Sequence, residues 1–122
     1  LKPTLNTDKS IYVQIAENIE NDILNENLKE DDQVPSTNQF ANFYKINPAT
    51  AAKGINILVD EEVIYKKRGI GMFVSKGAKE KILKKRQQIF FDETIPEILM
   101  EAKRLEITPS ELVEAINKYK EG

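Results

Sequence analysis

The sequence contains no cysteine and no histidine. Without cysteine the chain can form no disulfide and suits a reducing compartment, so a cytoplasmic location is expected. Without either residue, thiolate and imidazole metal sites are excluded, as are Cys–His and Ser–His nucleophilic pairs. Carboxylate and lysine chemistry are what remain. Long apolar runs are also missing. None approaches the roughly 18–20 residues of a spanning helix, so no membrane partner is expected. The first residues show no basic segment leading into an apolar one, so none reads as a secretion signal. There is no internal repeat and no low-complexity run.

What is present fits one domain, or a small core with an appended interaction segment: 122 residues, 40% hydrophobic and 31% charged. The net charge of −2 hides a segregation. Half of the 18 basic residues lie between Lys66 and Arg86, a stretch whose single acid is Glu80. Residues from Glu17 to Asp32 are acidic instead. A local basic tract is the footprint of a polyanion contact, or else a solvated helix face. The carboxylates come in runs, Glu30-Asp31-Asp32 and Asp60-Glu61-Glu62. Such runs mark helix ends and turns. Neither lies beside a glycine loop or another catalytic group, and neither specifies a divalent-cation geometry. No enzyme activity, cofactor or metal is expected.

Residues 1–9 lack periodicity and read as an arm. From Ser10, a candidate N-cap, Tyr12, Ile15, Ile19 and Ile23 recur at helical steps, and the helix should fade near Asn25–Asn27. Pro35 favours an extended Val34. Ser36 and Gln39 form a capping box for a short helix that turns Phe40, Ala41 and Phe43 to one side and ends near Tyr44. Asn47 then caps a helix with Pro48 in its first position. Ala51, Ile55 and Leu58 line its inner face, while Ala49, Thr50 and Lys53 point elsewhere. Two helices joined by a tight turn outline a helix-turn-helix, whose second member presents small or polar residues at its N-terminal end.

The stretch "YKKRGIGMFV", residues 65–74, then sets three cations beside Gly69 and Gly71. It admits a phosphate cradle, a hairpin tip touching a polyanion, or a solvated turn. A dinucleotide fingerprint needs a third glycine and an immediate helix, and neither follows. Val63–Lys66 and Met72–Ser75 read as two strands, so the stretch reads as a hairpin placed after the helix-turn-helix, which is a wing.

Residues 76–122 read as helical. Ile82, Leu83, Ile89 and Phe90 have heptad-like spacing, Pro96 should kink or restart the helix, and Ile95, Ile98, Leu99, Ala102 and Leu105 form a stripe. Thr108, Pro109 and Glu111 start a last helix with Leu112, Val113, Ile116 and Tyr119 on its apolar face. This tail is too small to enclose a core. Its stripes need the winged domain or a second copy of the chain.

The stretch from Ile11 to Val74 resembles the DNA-binding domain of GntR-family bacterial transcription regulators. The resemblance rests on Ile11-Tyr12 with Gln14-Ile15, Val34-Pro35-Ser36, Phe40-Ala41, Asn47-Pro48-x-Thr50 and Arg68-Gly69-x-Gly71-x-Phe73-Val74. The short helical tail resembles the YtrA-type subfamily, whose members lack a large effector domain and dimerise through the tail. The resemblance implies a mainly α fold with a small β-hairpin: a winged helix-turn-helix over 1–75 and a helical dimerisation tail over 76–122. It places Ser36 near a phosphate. It puts Asn47, Ala49, Thr50 and Lys53 on the recognition helix, and Lys67, Arg68, Gly69 and Gly71 at the wing. Asn38 stands where the family usually has a DNA-contacting arginine, and asparagine is shorter and uncharged. Ile89, Phe90, Ile95, Ile98, Leu99, Ala102, Leu105, Leu112 and Ile116 are the expected dimer contacts. The implied partners are double-stranded DNA and a second copy of the chain. An unidentified small-molecule effector would have to lodge in the tail, at the dimer seam or between domains. The implied activity is a homodimeric regulator, a repressor by family habit, acting on a near-palindromic operator. A winged protein-interaction module without DNA binding is the alternative, because fold alone does not fix function.

Overall fold

The computed structural model describes residues 10–120, so the arm expected over 1–9 lies outside them. The chain divides into two compact units after Leu83.

The first unit opens with α1 (Ile11–Leu24), whose N-cap position is Ser10, without a side-chain capping bond. Ile15, Ile19 and Ile23 are buried as their spacing predicts, and Tyr12 is half-buried. A short strand β1 (Gln33–Val34) precedes α2 (Thr37–Tyr44) and α3 (Pro48–Asp60). The hairpin follows as β2 (Ile64–Lys67) and β3 (Gly71–Val74). β3 lies between β1 and β2, antiparallel to both. The hairpin expected from sequence is thus part of a three-stranded sheet, because Val34, extended before Pro35, pairs with Met72.

One core holds this unit together: Ile15, Ile19, Phe40, Ala51, Ile55, Leu58, Ile64 and Val74 lie at its centre. Phe43 is not in it. At 47% exposure it packs edge-on against Tyr44 instead, since only one side of this two-turn helix faces inward. Ala78 and Ile82, from the first turns of α4 (Ala78–Ile89), do belong to the core. That burial carries the unit to Leu83, past the boundary expected at residue 75. Lys79 Nζ stands 3.6 Å from Glu26, and Lys81 Nζ donates to the Glu62 carbonyl at 3.0 Å. These two members of the basic tract anchor α4 to its own unit.

From Lys84 the second unit continues α4, which loosens into a π-helical turn over Phe90–Thr94. α5 (Ile95–Arg104) restarts with Pro96 in its first turn, where a missing N–H breaks no helical bond. Glu106 then takes a left-handed conformation at φ 59, and Ile107 N–H bonds the Ala102 carbonyl at 2.8 Å. This Schellman closure ends α5. α6 (Pro109–Tyr119) begins with the expected capping box, in which Thr108 Oγ1 accepts from Glu111 N–H and Glu111 Oε1 accepts from Thr108 N–H.

Candidate nucleic-acid interface

The helix-turn-helix is built from two side-chain caps. Ser36 Oγ accepts from Gln39 N–H at 3.1 Å, and Ser36 N–H donates to Gln39 Oε1 at 2.7 Å. Asn47 Oδ1 accepts from Ala49 N–H at 2.8 Å, which opens α3. Lys45, left-handed at φ 56, makes the turn between the two helices. α3 buries Ala51, Gly54, Ile55 and Leu58 and exposes Ala49, Lys53 and Asn56 along the opposite stripe. Gly54 fixes how closely α3 lies on α1. A Cβ there would come within 2.5 Å of the Tyr12 carbonyl oxygen and 2.9 Å of Ile15 Cβ. Lys53 Nζ lies 4.1 Å above the Tyr12 ring, so α1 also restrains the lysine of the exposed stripe.

The wing turns over Lys67–Ile70, closed by Ile70 N–H donating to the Lys67 carbonyl at 3.0 Å. Gly69 takes φ 77 in its third position, a conformation that costs glycine little. Strand alternation sorts the wing cations. Lys66 pairs with Met72 and shares a face with the buried Ile64 and Val74. Lys67 is on the other face, its ammonium 4.6 Å from the Phe73 ring centroid. On that outer face Tyr65 donates its hydroxyl to Asp31 Oδ1 at 2.8 Å. That hydrogen bond, aided by desolvation and the carboxylate charge, holds the Tyr65 phenol above its ordinary pKa. Tyr44 is raised too, chiefly by burial, and its hydroxyl accepts from Asn18 at 3.0 Å. Neither phenol is poised to ionise near neutrality.

The start of α2, one flank of α3 and the wing meet at a cleft of about 420 Å³. Ser36, Thr37 and Asn38 line it from α2, Ala52, Asn56 and Val59 from α3, and Lys66, Gly71 and Met72 from the wing. Of the residues singled out from sequence, the structure gathers Ser36, Asn38 and Gly71 here. Ala49 and Lys53 lie on the exposed stripe of α3, and Thr50 is half-buried beside them. Asn47, Arg68 and Gly69 are exposed, and Lys67 sits over aromatic rings on the outer face. Thr37 and Asn56 were not singled out, and Lys66 was read as one of three wing cations without a place in the cleft. Asn56 could have been found at three positions beyond Lys53 on the helix. Lys66 needed the register with Met72.

The tail residues expected to contact a second copy divide similarly. Ile89, Phe90, Ile98, Leu99, Leu105 and Ile116 are exposed, Ile95 and Leu112 are half-buried, and Ala102 is buried within its own chain. Among the described residues no cluster of acidic side chains could hold a metal ion, and no helix is long and apolar enough to cross a membrane.

Residues 11–74 match the gntR family of bacterial regulatory proteins. Over 73 residues the chain is 36% identical to the HTH-type transcriptional repressor NagR of Bacillus subtilis (strain 168), covering 60% of this chain and 30% of NagR. The chain thus spans under a third of that relative's length. The crystal structure of a Bacteroides thetaiotaomicron protein assigned to the GntR family matches 91% of this chain and 96% of its own, with a TM-score of 0.74 and 33% identity. YtrA from Sulfolobus acidocaldarius, a GntR-family transcription factor, matches 68% of this chain and 87% of its own at TM-score 0.57 and 31% identity. The DNA-binding domain of AraR, solved in complex with operator ORE1, matches 62% of this chain and 94% of its own at TM-score 0.52 and 25% identity. With its cationic wing, capped helix pair and this match over more than half its length, the chain belongs to the gntR family of bacterial regulatory proteins and is a DNA-binding transcription regulator.

Proposed function

We propose that the chain is a homodimeric repressor that grips a near-palindromic operator with one winged unit on each half-site. The observation that carries this reading is the cleft bounded by the start of α2, the Ala52–Asn56–Val59 flank of α3 and the wing, with the exposed Ala49 and Lys53 on the adjoining stripe of α3. The N-terminus of α3 enters the major groove, where Ala49 leaves room for base edges and Thr50 reaches a phosphate or a thymine methyl. Lys53 reaches a guanine or a phosphate. The first-turn N–H groups of α2 and the Ser36 hydroxyl, still a donor while its oxygen caps the helix, face the backbone. Asn38 and Asn56, both lining the cleft, offer amides for base or phosphate contacts. Arg68 and the Gly69–Gly71 tip lie along the adjacent groove. Repression is supported by the likeness to NagR, and operator binding by the likeness to AraR. Two-fold pairing is supported by the apolar residues that the tail leaves uncovered in one copy.

Selection of bound duplexes from a random pool tests DNA binding, symmetry and half-site spacing together. The expected product is a pair of inverted half-sites about one or two helical turns apart, centre to centre. Affinity for it should fall steeply with salt, by about 0.9 log units per log unit of salt for each phosphate neutralised by Lys53, Lys66, Lys67 or Arg68. Lys53→Ala should weaken binding by about 1–3 kcal/mol if the lysine reads a base; wild-type affinity in a gel-shift titration would remove it from the interface. No duplex retained even at low salt would favour the protein-interaction module.

A further inference from the structure

One residue at the wing tip is not explained by charge. Ile70 is 67% exposed, more than any other large apolar side chain among the described residues of its unit. Gly69 and Gly71 flank it at φ 77 and 146. Its N–H is held by the Lys67 carbonyl, and its carbonyl accepts from Gln33 Nε2 at 3.3 Å. Gln33 belongs to β1, the strand that leads into Ser36 and α2. A Cβ on Gly71 would approach the same amide nitrogen to 2.6 Å, so the glycine leaves room for this brace. The tip is therefore fixed both by its own turn and by the neighbouring strand.

A β-branched apolar residue is a poor turn former, since such turns favour Gly, Asn, Asp and Ser. At this exposure Ile70 adds little to the core either. Its neighbours Lys66, Lys67 and Arg68 select a polyanion, and the minor groove is the polyanion surface with apolar sugar walls. Its floor is smooth at A·T pairs and carries the guanine N2 amino group at G·C pairs.

We propose that Ile70 is a specificity-determining minor-groove contact, braced by Gln33, that packs against the sugar walls and excludes G·C pairs beneath the wing. The inference rests on the DNA-binding reading above. Gln33 acts through the Ile70 backbone and is a positioning residue.

The test uses the full chain and a fluorescein-labelled duplex recovered from the random pool. Each base pair outside the major-groove half-sites is changed in turn to A·T, G·C or I·C. Inosine keeps the major-groove face of guanine but lacks the N2 amino group, so it isolates the minor groove. At the steps beneath the wing, the wild type should bind A·T and I·C alike and G·C roughly tenfold more weakly. Ile70→Ser should bind the A·T duplex about three- to tenfold more weakly, with the distinction between I·C and G·C flattened. Its salt slope should stay unchanged, because a neutral side chain displaces no counterion, whereas Arg68→Ala should lower the slope by about 1. Ile70→Val should keep the distinction. Gln33→Leu, similar in size but without a donor, should reduce it while leaving the melting temperature in place. Wild-type affinity for Ile70→Ser, or equal binding of I·C and G·C at every scanned step, would overturn this inference alone. A wild-type chain that retains no duplex would overturn the DNA-binding reading and this inference with it.

Discussion

The two units of this chain use amphipathic helices of the same kind and bury them very differently. Through Leu83, the stripes on α1, α2 and α3 close on one another and on the sheet. From Lys84, Ala102 is the only apolar side chain among the described residues that is buried, while Phe91, Met100, Leu105, Ile116 and Tyr119 are each at least 60% exposed. Capping does not account for the difference, because α6 has as complete a capping box as α2. What differs is whether the apolar face meets a facing element within the same copy. Local helix signals and core formation are therefore separate requirements. The tail satisfies the first and, within its own unit, does not meet the second.

The sharpest way to break this contrast is to truncate one phenylalanine in each unit. Phe40→Ala should destabilise the winged unit by about 3–5 kcal/mol, since the ring is fully buried. Phe91→Ala, at 67% exposure, should change the stability of a dilute, monomeric sample by no more than about 0.5 kcal/mol. Urea unfolding followed by circular dichroism measures both, and equal losses would erase the distinction.

A charge on the tail stripe sharpens it. Ile98→Glu should leave the winged unit folded, give a monomer by sedimentation, and weaken binding to a two-half-site duplex about 100-fold, or about 2.7 kcal/mol. A variant that still sediments as a dimer would show that copies pair through another surface.

Within the winged unit, a smaller effect tests the tie between α1 and the exposed stripe of α3. Tyr12→Leu removes the ring beneath Lys53 and should cost about 0.5–1 kcal/mol of DNA affinity, whereas Tyr12→Phe should retain it. Equal losses in the two variants would assign the effect to the tyrosine hydroxyl rather than to the cation–π contact.

The smallest effect expected is on the start of α6. Glu111 has its carboxyl pKa held below the ordinary value, first by the Thr108 backbone N–H and then by the Thr108 hydroxyl. A carboxylate depressed in the folded state adds stability above its unfolded pKa and loses it as pH falls through the folded one. Acid titration through the carboxylate range should therefore loosen this helix start in the wild type, and less so in Glu111→Gln, which keeps a neutral capping partner. Amide exchange at the first turn of α6 reads the difference, and identical profiles would remove Glu111 from the cap.

Much of this was legible before any coordinates. Ser36 with Gln39, Asn47 with Pro48, and Thr108 with Glu111 announce helix starts through short-range chemistry, and all three caps form. Helix ends were harder to read. α1, α3 and α5 close through Glu26, Glu62 and Glu106 in left-handed conformations, where a glycine would have been the visible signal. Strand β1 was half legible: Pro35 marks Val34 as extended, but two residues show no period, and the strand exists only through pairing with β3. At the interface, the α3 positions could be read from helical spacing, but the faces taken by Lys66 and Lys67 could not.

By itself the sequence determined the helix starts, the wing turn and the apolar stripes, because each depends on residues within a few positions of one another. Only the tertiary structure decided that Lys66 faces the cleft while Lys67 caps Phe73, that Gln33 braces the wing tip, and that Gly54 lets α3 settle onto α1. Those outcomes depend on strand register and helix approach. Both are set by packing between segments distant along the chain, and no local pattern of residues encodes them.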